Sequence, residues 1–389
     1  MLNGTHRTPK QEEVVYGRPA AEVVTAAAEA FHAEKLVFVT SRSLGVEGGL
    51  ARRLAAALGA RAAGVFDGVH AHSPREDVIA GASRARELGC DLLVAVGGGS
   101  VIDATKVMQL CLAANLRNPE DLDAYRAGAP GNLASSLELD VRMLAIPTTL
   151  SAAEFTPFAG VTDTVRHAKE GYHHPLLAPR RVALDPRATL DTPARLWFST
   201  GLKAVDHAVE QLCNPERAPF ADALAEAGLR RLSKALPATH RRPDELEARL
   251  DCQLGMWLAI SGASMGHGLG ASHAIGHTLG GMLGIPHGLT SAVMLPAVLE
   301  WNEATLGARG RLVAELLGSA GTSPADAVRR LCTELGLPTD LQSVGVDAAS
   351  FRAIAERTMH DRGIRTNPRP IRDPGDVEQI LRLASARPA

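Results

Sequence analysis

Short apolar runs alternate with longer alanine-rich stretches of helical period over residues 14–185. The runs span residues 36–40, 62–67, 91–96 and 141–146. Amphipathic helices are predicted over 49–58 and 77–88. This alternation is typical of a parallel sheet whose strands are joined by crossover helices. After residue 185 nearly every segment has a helical period, broken by prolines. The sequence therefore predicts an α/β domain over 1–185 and an all-α domain over 186–389.

Size and charge restrict the class of protein. A chain of 389 residues is long enough for two hydrophobic cores. Its 41 basic and 43 acidic residues leave a net charge of -2, which gives no field for binding nucleic acid. The five cysteines are widely separated, so neither a disulfide framework nor a thiolate zinc site is expected. With no signal peptide and no apolar stretch of about 18 residues, we expect a cytoplasmic protein with no membrane partner.

A glycine turn follows the third apolar run. Gly97, Gly98, Gly99 and Ser100 lie between this predicted strand and the next predicted helix. Such a turn lets backbone N–H groups approach a phosphate, whose charge the helix dipole favours. Asp103 lies three residues after Ser100, which resembles a capping box. A glycine-rich turn without a ligand is the alternative interpretation, because the spacing is not GxGxxG.

Two further strand ends carry polar residues. The run 141–146 leads into Thr148 and Thr149, whose hydroxyl groups are suited to a phosphate or ribose. The run 36–40 leads into Ser41 and Arg42, where an NAD-specific site often has a carboxylate for the ribose 2′-hydroxyl. The loops predict a dinucleotide site that accepts NAD or NADP. Arg42 as a solvated loop charge is the alternative interpretation.

Histidines concentrate in the helical half. His273 and His277 are spaced i, i+4 on one predicted helix, and Lys203 and His207 have the same spacing on another. His287 follows just past the predicted end of the first of these helices. Imidazoles so spaced suit a divalent metal, or a role in proton transfer to a carbonyl substrate. For any one histidine the alternative is an ordinary core or surface position.

These residues resemble the iron-containing (group III) alcohol dehydrogenase superfamily, including its maleylacetate reductase branch. The motifs behind the resemblance are spread over nearly the whole chain: Val39-Thr40, Phe66-Asp67-Gly68-Val69, Gly97-Gly98-Gly99-Ser100, Pro147-Thr148-Thr149, Val161-Thr162-Asp163, Asp185-Pro186 and Asn367-Pro368-Arg369. The resemblance implies an N-terminal nucleotide-binding domain and a helical C-terminal domain, with NAD or NADP and the active site in the cleft between them. It also implies a homodimer.

The resemblance completes the predicted cofactor site by matching His72 and Lys169 to positions near the cofactor. The predicted cofactor-binding residues are Ser41, His72, Gly97, Gly98, Gly99, Ser100, Asp103, Thr148, Thr149 and Lys169.

In metal-dependent members of the family one aspartate and three histidines hold the ion. The resemblance places His207, His273 and His287 at the three histidine positions, and matches His277 to a further active-site histidine. The aspartate position holds Lys203, and a protonated lysine has no lone pair for a cation. Asp206 is a poor replacement because neighbouring helical residues point about a hundred degrees apart. We therefore expect no catalytic iron or zinc.

The expected reaction is hydride transfer between NAD(P)H and a small aldehyde or oxo acid, maleylacetate-like substrates included, or oxidation of the matching alcohol. Lys203 would polarise the carbonyl while His277 or His273 donates the proton, in a site shared with His207 and His287. Lys203 as a solvated surface charge is the alternative for that residue. For the whole protein the alternatives are a metal-dependent alcohol dehydrogenase, a lyase or synthase on the same scaffold, and an inactive nucleotide-binding protein.

Overall fold

The structure, a computed structural model, describes residues 10–216 and 218–385. These residues form two compact units, and the division along the chain falls after residue 191. Among the helices of the described residues, none combines the length and the apolar character that a membrane span requires.

The first unit is built on a parallel sheet of six strands, which are β1 (Glu13–Tyr16), β2 (Leu36–Thr40), β3 (Ala62–Phe66), β4 (Leu92–Gly97), β5 (Arg142–Pro147) and β8 (Arg181–Leu184). Their order across the sheet is β1-β8-β5-β4-β2-β3. An antiparallel hairpin adds β6 (Phe158–Asp163) and β7 (Ala168–His173). The helices are α1 (Ala20–Ala30), α2 (Arg42–Gly45), α3 (Leu50–Leu58), α4 (Arg75–Glu87) and α5 (Gly99–Ala113). The parallel sheet predicted from the sequence is confirmed.

The central strands are apolar along their whole length because both faces of the sheet are covered. Every residue of β2 and of β4 is buried, as expected for parallel strands packed between helices. Thr40 pairs with Val96, and Gly97 pairs with Pro147. The carboxyl ends of β2, β4 and β5 therefore lie at one edge of the sheet, and so do the loops that follow them.

A buried charge cluster, here called the arginine clamp, ties the start of α4 to the hairpin. The guanidinium of Arg75 contacts Glu170 on β7, lies 3.4 Å from an oxygen of Asp163 on β6, and donates to Asp123 at 2.6 Å. Arg166 reaches the same three carboxylates from the hairpin turn. Opposite charges therefore compensate one another where the hairpin meets the helix.

The second unit is helical throughout its described residues, as predicted. Its helices are α6 (Ala194–Cys213), α7 (Pro219–Arg241), α8 (Leu246–Ser264), α9 (Ala271–Leu283), α10 (His287–Leu316), α11 (Pro324–Glu334), α12 (Phe351–Thr358) and α13 (Pro374–Leu383). Gly307, with φ of 51°, interrupts α10. Helix α6 packs against α7, α8 and α10, and this packing buries nearly all of its side chains from Trp197 onward.

Candidate active site

The glycine turn joins the end of β4 to the start of α5 and packs tightly against the loop after β5. A Cβ atom on Gly98 would lie 2.9 Å from Cγ2 of Thr149, and one on Gly99 would lie 3.1 Å from Oγ of Ser151. The hydroxyl oxygen of Thr149 is buried with no hydrogen-bond partner among the described residues. Backbone at a helix N-terminus beside a buried hydroxyl without a partner fits the phosphates of a dinucleotide. Thr148 is buried in the same loop.

The predicted capping box of Ser100 and Asp103 is wrong. Helix α5 starts at Gly99, its N-cap is Gly98, and no described side chain caps it. Ser100 Oγ instead accepts the backbone N–H of His72 at 3.0 Å, and Asp103 accepts the N–H of Gly160 at 3.1 Å. Both side chains are engaged by donors from other segments, which sequence spacing along α5 does not reveal.

His72 lies in a strained segment that is held at several points. His72 and Ser73 have positive φ angles of 66° and 54°, a conformation that costs free energy in non-glycine residues. Ser73 donates to the carbonyl of Ser100 at 2.8 Å, and Thr162 of β6 donates to the carbonyl of His72 at 2.8 Å. Burial lowers the pKa of His72, and the charge of Lys169 lowers it further. The structure thus brings His72, Ser100 and Lys169 into one neighbourhood.

The end of β2 lacks a carboxylate. Ser41 is the N-cap of the short α2, and its Oγ lies 3.1 Å from Oγ of Ser43. Arg42 is exposed. On the neighbouring strand Asp67 follows β3, and its carboxylate lies 3.4 Å from Arg52. A hydroxyl group and a cation, rather than an acid, therefore follow β2 directly.

The structure gathers the four predicted histidines of the second unit into one cluster. The rings of His207 on α6 and His273 on α9 stack, with centroids 4.8 Å apart and planes 20° apart. His287, at the start of α10, lies 5.2 Å from both His273 and His277. Lys203, one turn before His207, is close enough for its charge to lower the pKa of both His207 and His273.

Two buried carboxyl groups lie on the Nδ1 side of His273. Glu210 accepts the N–H of Gly270 at 2.7 Å, that of Ser272 at 2.8 Å, and contacts Nδ1 of His273 at 2.8 Å. Asp206 accepts the hydroxyl of Ser272 at 2.8 Å and lies 3.5 Å from the same Nδ1. Both carboxyl groups therefore face the Nδ1 side of His273 and leave its Nε2 side to the cluster.

Burial sets the ionisation of this group. It raises the pKa of Asp206 and that of Glu210 to about 7. It lowers the pKa of His273 to about 4, and that of His207 well below its ordinary value. Both of these imidazoles are therefore neutral at pH 7.

The donor set does not fit the family's metal site of three histidines and one carboxylate. His207 Nδ1 and His273 Nε2 are buried without a hydrogen-bond partner among the described residues, so both nitrogens are available as ligands. However, the lone pairs of stacked imidazoles lie in nearly parallel planes and converge poorly on one ion. The group here whose ligand atoms lie within 4.8 Å of one another is Asp206, Glu210 and His273. Three of its four carboxylate oxygens already accept protein donors, while Oδ1 of Asp206 has no hydrogen-bond partner among the described residues. The resemblance places Lys203, a cation, at the family's carboxylate position.

His277 differs from its neighbours in exposure. Its side chain is 55% exposed, against 3% for His273, and its Nδ1 lies 2.9 Å from Oδ2 of Asp361. Sequence reasoning missed Asp361, which is 84 residues away and has no local signal. It also missed Glu210, although the i, i+3 spacing from His207 was available as a signal.

Comparison with known proteins gives a consistent result. Residues 11–186 match the family model of iron-containing alcohol dehydrogenases, and residues 197–385 match the C-terminal model of the same family. The chain is 33% identical to the dehydrogenase FUM7 of Gibberella moniliformis, covering 96% of each chain. It is 35% identical to a maleylacetate reductase of Pseudomonas sp. strain P51, covering 86% of this chain and 85% of the relative. The crystal structure of a maleylacetate reductase from Rhizobium sp. strain MTP-10005 superposes over the full length of both chains with a TM-score of 0.83 at 27% identity.

Proposed function

The chain belongs to the iron-containing alcohol dehydrogenase family and is an oxidoreductase of alcohol or carbonyl groups, and on this premise we propose that it works with NAD or NADP and without a catalytic metal. The observation that carries the proposal is Lys203, a cation at the position of the family's metal-binding aspartate and beside neutral imidazoles. The reaction is reduction of a small aldehyde or oxo acid, or oxidation of the corresponding alcohol.

The first unit supports the cofactor assignment. Gly98 and Gly99 let the turn pack closely against the loop after β5, which places backbone N–H groups at the start of α5 beside the buried hydroxyl of Thr149. Lys169, near His72, adds a positive charge for an anionic cofactor. When bound, the nicotinamide supplies or accepts the hydride.

Lys203 takes the place of a metal ion as the group that polarises the substrate carbonyl. Its ammonium lowers the pKa of His207 and His273, so its field reaches the centre of the cluster. A fixed cation near a carbonyl oxygen stabilises the negative charge that develops as hydride is added. The same charge favours an anionic substrate over a neutral one, and the maleylacetate reductases among the relatives are named for an oxo acid.

The geometry favours His277 over His273 as the group that exchanges a proton with the substrate oxygen. His273 has a pKa of about 4, so almost none of it is protonated at neutral pH. His277 is half-exposed and can exchange protons with solvent. His207, His273 and His287 would then shape the site and accept hydrogen bonds from the substrate.

Exhaustive chelation tests the metal-free assignment. We expect the purified enzyme to retain its activity after treatment with a strong chelator, and elemental analysis to find far less than one metal per chain. Loss of activity that added iron or zinc restores would establish the metal-dependent alternative. A thermal melt before and after chelation shows whether the fold itself was affected.

Turnover measurements separate the remaining alternatives. Net oxidation or reduction of the nicotinamide cofactor, followed by its absorbance, excludes a lyase or synthase that uses the cofactor only transiently. Nucleotide binding without turnover on a broad panel of aldehydes, ketones and oxo acids would instead identify an inactive nucleotide-binding protein. The homodimer and the cytoplasmic location stay predictions.

A carboxylate at the end of β2 is expected to discriminate against NADP. In the Ser41→Asp variant the new charge would repel a 2′-phosphate, and we expect KM for NADPH to rise at least about tenfold relative to KM for NADH. The control is Ser41→Asn, because asparagine has the size of aspartate but no charge. This variant should leave the ratio of the two KM values nearly unchanged. Equal effects of the two variants would show that the 2′ position of the ribose does not lie at Ser41.

A further inference from the structure

Both histidines of α9 are held in the same way. The Nδ1 atom of His273 contacts a carboxylate oxygen of Glu210 at 2.8 Å, and the Nδ1 atom of His277 contacts one of Asp361 at 2.9 Å. The two carboxylates come from different elements, α6 and the 3₁₀ turn that begins after Asp361. One helix thus presents two imidazoles whose Nδ1 atoms are both occupied.

We propose that Asp361 is a positioning residue that fixes His277 with its proton on Nδ1 and so leaves Nε2 as the nitrogen that exchanges a proton with the substrate oxygen. An ionised carboxylate only accepts hydrogen bonds, so the Nδ1 atom it contacts must be the donor. The inference rests on the proposed function, because it assigns the geometry behind the role of His277 there.

The contacts of Asp361 suit a fixed partner. Its Oδ1 accepts the N–H of Gly363 at 2.8 Å, while its Oδ2 contacts His277. One oxygen therefore binds the turn that begins after Asp361, and the other contacts His277 on α9. Although partial burial opposes ionisation, the hydrogen bonds from His277 and Gly363 lower the pKa of Asp361, so the carboxylate is charged at neutral pH.

The turn that carries Asp361 is itself fixed against the start of α9. A Cβ atom on Gly363 would lie 2.7 Å from the carbonyl oxygen of Gly270, so this backbone packs directly on the residue before the helix. Thr366 donates to the carbonyl of Leu269 at 2.6 Å. Asp361 and His277 are therefore held in one rigid arrangement, as a supporting carboxylate must be if it is to orient an imidazole.

Glu210 shows the same geometry but is a poorer site for a test. It accepts two backbone N–H groups at the start of α9 in addition to His273. A substitution there would therefore disturb the helix as well as the imidazole. Asp361 offers a cleaner substitution.

The test is Asp361→Asn. The asparagine carbonyl can still accept the N–H of Gly363, while its amide group now donates toward His277 and reverses the polarity of that hydrogen bond. We expect kcat to fall roughly 100- to 10,000-fold with little change in KM, as when a supporting aspartate is replaced by its amide. In protein labelled with ¹⁵N-histidine, NMR should show His277 protonated at Nδ1 in the parent and at Nε2 in the variant.

Two comparisons show whether the effect passes through His277. In a His277→Ala background Asp361→Asn should cause almost no further loss, because the group it orients is gone. Asp347→Asn is the matched control: Asp347 accepts the N–H of Ala349 at 2.8 Å as the cap of another 3₁₀ turn, and this variant should keep full activity.

Three results would overturn the proposal. The first is full activity of Asp361→Asn while His277→Ala is inactive, and the second is an equal loss of kcat when Asp361→Asn is made in the parent and in His277→Ala. The third is a tautomer of His277 that Asp361→Asn leaves unchanged in the NMR spectrum. Full activity of His277→Ala would instead overturn the proton-exchange role in the proposed function. The NMR measurement still decides in that case whether Asp361 sets the tautomer.

Discussion

Replacing Lys203 by methionine is expected to lower kcat/KM for carbonyl reduction roughly 100- to 1000-fold. Methionine keeps an apolar stem of similar length but removes the charge that would stabilise the developing alkoxide, and loss of one such group costs about this factor. The measurement is steady-state kinetics with an oxo acid and with a neutral aldehyde. The loss should be larger for the oxo acid, since its carboxylate also loses an attractive charge.

The control for this variant is Lys234→Met, which removes an exposed lysine of α7 and should leave the kinetics unchanged. Activity retained in Lys203→Met would show that the charge of Lys203 is not needed for catalysis. A third variant, Lys203→Asp, restores the carboxylate of the family's metal site. We expect this variant to bind more zinc or iron than the parent in elemental analysis, since a negative ligand replaces a cation.

Replacing Arg75 by methionine is expected to lower the free energy of unfolding by about 3–5 kcal/mol. Its side chain is only 3% exposed and faces the nearly buried carboxylates of Asp163 and Glu170. Removal leaves those charges uncompensated in the interior, which costs this much in typical buried pairs. Urea denaturation measures the change. Arg166→Met is the control, because Arg166 contacts the same carboxylates from a side chain that is 50% exposed, and it should lose much less.

The effect of Arg75→Met should depend on pH. Hydrogen bonds from Arg166 and Arg75 hold the pKa of Asp123 well below its usual range. A carboxyl group with a lowered pKa stabilises the folded state above its unfolded pKa, and this contribution is lost as the pH falls. The stability difference between parent and variant should therefore shrink below about pH 4. Losses of equal size in Arg75→Met and Arg166→Met would show that burial of the clamp is unimportant.

The central sheet could be predicted from the sequence because its strands are buried on both faces. The run at residues 36–40 coincides with β2, and the runs at 62–67, 91–96 and 141–146 correspond to β3, β4 and β5 within about one residue. The hairpin of β6 and β7 was not predicted. More than half of its residues are polar or exposed, so its apolar pattern is too weak to stand out, and its contacts with α4 include the arginine clamp.

The candidate site was only partly predictable. Spacing along a helix identified His207, His273 and His277 because helical periodicity places residues four apart on one side. The partners of those histidines depend on which elements pack together, and no spacing rule joins His277 to Asp361. Asp206 was set aside as a replacement for the missing aspartate because neighbouring helical residues point apart, yet its carboxylate lies 3.5 Å from Nδ1 of His273 and belongs to a group whose ligand atoms lie within 4.8 Å of one another. His273 is buried and His277 is exposed. Their i, i+4 spacing does not predict this difference, because it places both residues on the same side of the helix.

The pairing of β1 with β8 also constrains how the protein is made. The arginine that precedes β8, Arg180, binds Glu12 beside β1 from 168 residues away. During synthesis at about 5–20 residues per second, β1 leaves the ribosome roughly 10–30 s before its partner strand exists. Until β8 is made, neither β1 nor β5 has this partner, and an unpaired strand edge can pair with other chains. Because β8 joins β1 to β5, the six-stranded sheet can be completed only after nearly all of the first unit has been synthesised.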